Sequence, residues 1–327
     1  MIITKTPLRI SFAGGGTDLP AFYENETYGA VVNVTIDKYV YIALHPFFDK
    51  KFLLKYSQSE LVDAPEKIAH PIIRESLLLT ETRTPLEITS FADVPARGTG
   101  LGSSSAFCVG LLHALSVHNR AYAPGQTLAR MACEVEIERI GKPIGKQDQY
   151  SAAIGGLNYL RFNADGSVFV YRLNLSLGLV RDLQARLLLF YTGTTRDADS
   201  ILAEQRTRTL SGGNERAVLL QMRAQADRLR EELQAGNLGG FGELLHEAWL
   251  LKRRLANGIS NPAIDAYYER ARAAGASGGK LLGAGGGGFL VFYVPGERQS
   301  AVRAALSDLQ EMEFSFDMQG TRIAHID

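Results

Sequence analysis

Cysteine is nearly absent from this chain of 327 residues: Cys108 and Cys133 are the whole supply. Two thiols, each inside a helix-like window, suit neither a disulfide framework nor the Cys/His spacing of a zinc site, so buried free thiols are expected. Net charge is missing as well, with 35 basic against 35 acidic residues. That balance argues against a surface built to grip nucleic acid or anionic membrane, although it leaves room for a local anion site. Long apolar runs are lacking: none approaches the roughly 18 residues that span a bilayer. Residues 1–13 hold two short apolar stretches broken by Lys5, Pro7 and Arg9, without the apolar core and cleavage site of a secretory leader. A cytoplasmic location is expected, where the Asn-x-Thr/Ser matches at Asn25, Asn33 and Asn174 have no use.

Glycine, in contrast, is in surplus. There are 33 glycines, about 10% of the chain against the roughly 7% that is usual, and no G-X-Y period explains them. Eleven lie in three short segments: Ala13-Gly-Gly-Gly-Thr-Asp18, Gly98-Thr-Gly-Leu-Gly-Ser-Ser-Ser105 and Gly283-Ala-Gly-Gly-Gly-Gly288. Outside these segments glycine usage is ordinary.

The hydrophobic pattern begins as β: Ile2–Thr6, Arg9–Ala13, Ala30–Ile36 and Tyr39–Leu44. A helix over 68–79 follows, then a strand Leu86–Phe91, the Gly/Ser loop, and an apolar helix over 104–117 with Ser103 or Ser104 as N-cap. The next helix runs from Gln126 to Gly141. A hairpin pairs Leu157–Phe162 with Val168–Tyr171 across Asn163-Ala-Asp-Gly166. The second half opens on a strand over 186–191 and continues with amphipathic helices over 197–209, 216–235, 241–256 and 262–274. Strands over 279–282 and 289–294, a helix over 297–310 and two short strands close the chain. This mixed order predicts α+β, in two domains of about 1–180 and 181–327.

A glycine backbone can approach a ligand closely and turn its N–H groups toward an anion. The middle loop also precedes a helix, whose N-terminal N–H groups and dipole favour phosphate, and Ser103 to Ser105 add hydroxyls for phosphate oxygen or a metal ion. One such loop alone is most simply a turn with a serine cap; three in one chain favour a ligand cradle. The middle loop lacks the lysine of the P-loop. The third loop matches G-x-G-x-x-G, but the β run Phe289–Val294 comes next, where a dinucleotide fold needs a helix.

Pro95-Ala-Arg-Gly-Thr-Gly-Leu-Gly-Ser-Ser-Ser-Ala106 and Lys280-Leu-Leu-Gly-Ala-Gly-Gly-Gly-Gly-Phe289 resemble two signatures of the GHMP small-molecule kinases, the group of galactokinase, homoserine kinase and mevalonate kinase. Pro7-Leu-Arg-Ile-Ser-Phe-Ala-Gly-Gly-Gly-Thr-Asp18 resembles the sugar-kinase form of the first signature. The resemblance spans nearly the whole chain and implies a two-domain fold with ATP and a small alcohol bound between the domains. By it, Gly98, Thr99, Gly100, Leu101, Gly102, Ser103, Ser104 and Ser105 would hold ATP. On a helix, Glu134 and Glu138 share a face and Glu136 stands apart, but periodicity does not say which face meets the loop. The spacing of Glu136 to Asp148 is similar to galactokinase, which makes Glu136 and Ser104 the Mg²⁺ ligands and Asp148 the base. Arg9 would then steady the reacting oxygens and Asp18 bind sugar hydroxyls. Galactokinase has an acidic residue and a His where this chain has Gly15 and Gly16, so a substrate other than galactose is expected.

The triplet Gly14, Gly15, Gly16 with Thr17 and Asp18, together with the stretches Gly145–Tyr150, Tyr191–Arg196 and Lys252–Ser260, resembles a narrower branch, the heptose 7-phosphate kinases. That branch phosphorylates the anomeric hydroxyl in making nucleotide-activated heptose. An already phosphorylated acceptor needs a second anion site, for which Lys146, Arg196, Lys252 and Arg253 are candidates; Gln147, Gly285 and Gly286 are expected beside it. An unphosphorylated fucose-, galactose- or uronate-type acceptor is the alternative, and a non-catalytic regulator would be expected to have lost Arg9, Glu136 or Asp148. The sequence leaves open whether the protein is a monomer or a homodimer.

Overall fold

The structure, a computed structural model, describes residues 1–95, 98–194 and 198–327. The first half runs β1 (Ile2–Ala13), α1 (Pro20–Tyr23), β2 (Tyr28–Pro46), β3 (Phe52–Lys55), β4 (Ser59–Val62), α2 (Pro71–Leu79), β5 (Leu86–Ala92), α3 (Ser103–His118), α4 (Gly125–Cys133), α5 (Gln147–Ile154), β6 (Leu157–Asn163) and β7 (Val168–Arg172). The second half runs α6 (Leu177–Ala185), β8 (Leu187–Tyr191), α7 (Ala198–Leu210), α8 (Asn214–Gln234), α9 (Phe241–Lys252), α10 (Pro262–Ala273), β9 (Gly278–Leu281), β10 (Phe289–Tyr293), α11 (Gln299–Ala305), β11 (Gln310–Glu311) and β12 (Arg322–Ile326). The expected α+β class is the one found, and both cysteines are buried and free.

Among the described residues the strands make an eight-stranded sheet, β12-β1-β2-β5-β3-β4 with β6 and β7 attached to β2, and a four-stranded sheet, β11-β8-β10-β9. The expected breaks within the first two strands do not occur. β1 and β2 pair from Ile2↔Leu44 to Ala13↔Val32, and the register shifts after Pro7, where Asp37 and Lys38 bulge out of β2. Pro7 stands opposite Tyr39, whose N–H and C=O both turn to Asp93, so no ladder bond to β2 is asked of the proline nitrogen and the strand continues through it.

α3 is buried along most of its length, which is why its sequence is apolar without a polar stripe. The helix expected over 126–141 stops being α-helical at Cys133 and continues as a π turn, Glu134–Arg139. Those expected over 241–256 and 297–310 shorten to α9 and α11. One core joins the large sheet to α2–α5 and to Leu229, Leu233 and Leu244 of α8 and α9. A second core gathers Phe190, Met222, Trp249, Tyr268 and Phe292 under the small sheet. β12 returns the chain to the free edge of β1, pairing Ile2 with Ile326.

The loops at residues 98–102 and 282–288 meet backbone to backbone. A Cβ on Gly100 (φ +76°) would fall on the Leu282 carbonyl and 2.9 Å from Gly283 N, and Phe289 N–H donates to Thr99 O at 3.3 Å. Gly100→Ala is therefore expected to force these loops apart and to lose about 1–2 kcal/mol or more, the strain of a left-handed residue with a Cβ. Urea denaturation checks this; unchanged stability would mean the loops do not bear on one another.

Candidate functional site

The middle glycine loop ends at Gly102, the N-cap of α3, with φ +80° and no side-chain cap. Ser103 and Ser104 are thus not the cap that the sequence suggested; they form the helix's first turn. Uncapped N–H groups at the positive end of a buried helix are suited to an anion. Leu101, Thr99, Ser103 and Ser105 are buried, the last two hydroxyls being spent inside the protein.

Arg9 anchors this loop. Its N–H donates to Leu101 O at 3.0 Å and its Nη1 to Gly100 O at 2.6 Å. Nε and Nη2 both reach Oδ1 of Asp148, each at 2.7 Å. The guanidinium side chain is 5% exposed and the carboxylate 24%. With Oδ1 held twice, Oδ2 is the oxygen that faces Gly102, 3.3 Å from where a Cβ there would stand. Asp148 sits in the first turn of α5, a helix too short and too weakly patterned to be recognised from sequence.

Glu136 occupies the π turn, its side chain fully buried, whereas Glu134 pairs with Arg139 near the surface. The extra residue in a π turn rotates the chain beyond it, a distortion frequent at functional sites. Oε1 accepts from Ser104 Oγ at 2.9 Å and from Lys142 Nζ at 2.9 Å. Oε2 accepts from Ser105 Oγ at 2.7 Å and Gln149 Nε2 at 2.8 Å. Among the described residues no group of three or more His, Cys, Asp or Glu side chains gathers for a metal. One carboxylate and one hydroxyl beside the middle glycine loop nevertheless fit Mg²⁺, a hard cation that would complete its shell with phosphate oxygens and water.

Gly14, Gly15 and Gly16 turn the chain after β1. Thr17 is fully buried; its Oγ1 lies 2.8 Å from both Gly14 O and Ala30 O and accepts from Ala30 N–H at 2.9 Å. Its role is to close the turn, and its hydroxyl is spent there. Asp18 accepts from Gly16 N–H at 2.9 Å, Gln147 N–H at 3.2 Å and Gln147 Nε2 at 3.3 Å. Burial raises its carboxyl above the usual range, and repulsion from Asp148 adds to the rise. Gly15 would accept a Cβ without a clash, in ordinary contact 3.6 Å from Gln147 Nε2 and 3.7 Å from Ser11 Oγ. Ser11 Oγ, Gln147 Oε1 and Gln205 Nε2 are buried around this turn without a partner among the described residues. Three orphaned polar atoms around one glycine turn make a wall suited to a polyol.

The basic candidates do not gather in one place. Lys146 donates to Gly166 O at 2.8 Å and lies over the Tyr23 ring, one residue from Gln147. Lys252 is buried at the third glycine loop, bonded to Leu281 O at 3.0 Å and to Gly283 O. Arg253 instead pairs with Asp265 at the surface, and Arg196 lies outside the described residues. Gly286 N–H donates to Ile259 O at 3.0 Å, and a Cβ on Gly285 would stand 2.6 Å from Ile259 Cα, so both serve loop packing. A cation that no sequence argument singled out, Lys280, is buried on β9 and donates to Phe12 O at 3.0 Å. Burial drives Lys252 well below the usual amine range, with Lys280 and Arg9 adding repulsion.

Ser11, Lys142, Gln149, Gln205 and Lys280 lie among the candidate site residues without having been singled out from the sequence. Ser11, Gln149 and Lys280 lie within recognisable motif segments, but Gln205 carries no sequence signal.

Known proteins share this fold. The profile of the GHMP kinases N terminal domain matches residues 66–156, and that of the GHMP kinases C terminal matches residues 229–311. The chain is 30% identical to D-glycero-alpha-D-manno-heptose 7-phosphate kinase of Campylobacter jejuni, over 98% of both chains. It is 29% identical to L-fucokinase/L-fucose-1-P guanylyltransferase of Bacteroides fragilis, over 91% of this chain and 35% of that longer protein. The crystal structure of a D-glycero-D-manno-heptose 1-phosphate kinase from Bacteroides thetaiotaomicron superposes with a TM-score of 0.81 at 26% identity, covering 100% of both chains.

Burial pushes the Lys280 ammonium down to about 7, with Arg9 contributing, whereas an unfolded lysine titrates near 10.4. Between those values the unfolded chain holds more protons, so the cost of burying this charge is full below pH 7 and fades as pH rises toward 10.4. In urea melts at pH 7 and pH 9.5, wild type is expected to gain at least about 1.4 kcal/mol, the equivalent of one pKa unit, relative to Lys280→Met. Parallel pH dependence in the two proteins would show that this ammonium is not penalised.

Proposed function

Because the chain belongs to the GHMP kinases, ATP-dependent phosphotransferases, we propose that it transfers the γ-phosphate of ATP to the anomeric hydroxyl of D-glycero-D-manno-heptose 7-phosphate. The product is the 1,7-bisphosphate, an intermediate suited to nucleotide activation of the sugar. The observation that carries the reading is the Arg9–Asp148 pair, set across Gly102 from the N-terminus of α3. Phosphoryl transfer asks little covalent chemistry of the protein and much positioning and charge stabilisation. The phosphates of ATP lie over Gly98–Ser105, against the uncapped turn of α3.

Arg9 keeps Oδ1 of Asp148 occupied, and Oδ2 takes or orients the anomeric proton as the C1 oxygen bonds to γ-phosphorus and the bond to the ADP oxygen breaks. The anomeric hydroxyl is more acidic than an ordinary alcohol, which lightens the task of the base. Ser104 and Glu136 would hold Mg²⁺, which when bound neutralises charge on the phosphates. Asp18, fixed by Gly16 and Gln147, binds acceptor hydroxyls, with Ser11 and Gln205 completing the wall. Lys146, next to Gln147, is the basic residue at the acceptor end and receives the 7-phosphate. Lys252, bonded to the third glycine loop, belongs to the nucleotide end. In this reading the parts 1–180 and 181–327 form the two walls of the cleft.

Identity to the Campylobacter jejuni heptose 7-phosphate kinase along the full chain supports the acceptor. The fucokinase likeness makes free sugars the competing reading. Incubation with ATP and a panel of heptose 7-phosphate, L-fucose, galactose and glucuronate, with phosphorus NMR of the products, separates them. A new anomeric phosphate on heptose 7-phosphate is expected; turnover of free sugars alone would reject the phosphorylated acceptor.

Asp148→Asn is expected to lower kcat by about 10²–10⁴-fold, the usual worth of a positioned base, with affinity for a non-hydrolysable ATP analogue close to wild type. Wild-type turnover would sink the assignment. Gly102→Val should weaken analogue binding on the order of tenfold or more, since it strains a left-handed residue and fills the space before Asp148; isothermal titration calorimetry reads it.

A further inference from the structure

Lys142 follows the π turn directly after Gly141, whose φ is +79° and whose Cβ position is open on all sides within 4 Å. Its ammonium lies 2.7 Å from Ser104 Oγ and 2.9 Å from Glu136 Oε1, while those two oxygens are 2.9 Å apart. The three atoms form a closed triangle. A fully buried carboxylate requires a counter-charge, and the cation paired with Glu136 among the described residues is Lys142. The lysine side chain is 18% exposed and Glu136 wholly enclosed, so the carboxylate is fixed and the ammonium has a way out.

We propose that Lys142 is a resident placeholder: its ammonium neutralises Glu136 while the phosphate loop is empty and is displaced when a divalent cation takes Ser104 Oγ and Glu136 Oε1. The inference rests on the reading of these two side chains as metal ligands. Two cations within about 3 Å of the same pair of oxygens repel one another strongly even at an effective dielectric near 20, so occupancy is exclusive. A long flexible stem carrying a point charge suits an ion that must leave, where a guanidinium held by several directional bonds would not. Metal affinity is thereby set below what the ligands alone would give, and the loop does not depend on metal to keep its buried acid satisfied.

Manganese binding followed by EPR, in the presence of a saturating non-hydrolysable ATP analogue, tests this without turnover. Lys142→Met is expected to bind Mn²⁺ about tenfold more tightly than wild type, and Lys142→Arg, which keeps the charge, no more tightly than wild type. Without metal or nucleotide, Lys142→Met should melt below wild type and recover on addition of Mn²⁺. Equal or weaker Mn²⁺ binding by Lys142→Met overturns the proposal. Wild type supplies a readout that needs no variant: acetylation of Lys142, quantified by mass spectrometry in the presence of the ATP analogue, should rise when Mg²⁺ is added, and an unchanged or lower yield overturns the proposal. Glu136→Gln separates the two levels, because wild-type Mn²⁺ affinity in that variant would remove the metal-site reading itself.

Discussion

Everything at the site depends on the guanidinium of Arg9. It leaves the middle of β1 and bonds in two directions at once, to the backbone of the middle glycine loop at Gly100 and to Asp148 on α5. Only a planar fork can hold a carbonyl and a carboxylate together in that way, so lysine would not substitute. The main-chain N–H of the same residue holds Leu101. Three segments far apart in sequence are thus referred to one rigid group on a strand paired along its whole length in the large sheet. Buried ion pairs contribute little net stability; here the pair fixes which oxygen of Asp148 is spent and which is free.

The zero net charge of the chain conceals a local imbalance. Arg9, Lys252 and Lys280 are all buried, each of the lysines depressed by burial first and by cationic neighbours second. Asp148 pairs with one of the three. Folding therefore gathers three cationic side chains, one of them paired with Asp148 and the two lysines pressed toward their neutral forms, and an anion bound beside them would favour the charged forms again. Stability and ligand binding would be linked through that penalty: an anion that binds only the folded state would return free energy the empty protein forgoes. The acid side is arranged in the opposite way, with Glu136 fully satisfied by Ser104, Ser105, Gln149 and Lys142.

A residue is legible in the sequence to the extent that its role is local. The strands of the large sheet, the hairpin after α5 and the glycine loops announce themselves by alternation and composition. β3 and β4 do not, being four residues each with little alternation. α5 is unreadable for the same reason: eight residues, Gln147–Ile154, with no apolar period, held by packing against its neighbours. The serine cap expected for α3 gives way to Gly102 because the loop needs its left-handed turn where a cap would sit. Arg9, Ser104, Glu136 and Asp148 are singled out by resemblance to family motifs, and the structure brings Arg9 to Asp148 and Ser104 to Glu136. Gln205 is not singled out, since it arrives from α7 in the other half of the chain. Thr17 reads as a ligand contact and proves to be a turn closer, because closing a turn and touching a sugar ask for the same hydroxyl.

The acceptor side turns on an absence. Gly15 leaves room where galactokinase carries a side chain, and the atoms around it are polar: Ser11 Oγ and Gln147 Oε1 without a partner, Gln147 Nε2 spent on Asp18, and Gln205 Nε2 without a partner beside Gly16. A buried donor or acceptor without a partner costs about 1–3 kcal/mol, and three such atoms around one turn are hard to retain unless something meets them. Water would do so in part, and a sugar with several hydroxyls would do so more fully. Removing side chains from Gly15 and Gly16 thus has two effects that reinforce one another. In the proposed reading it would widen the acceptor end and turn groups elsewhere buried behind a side chain into recognition groups, so that selectivity for a larger sugar would arise from deletion at one position without new contacts being invented at another.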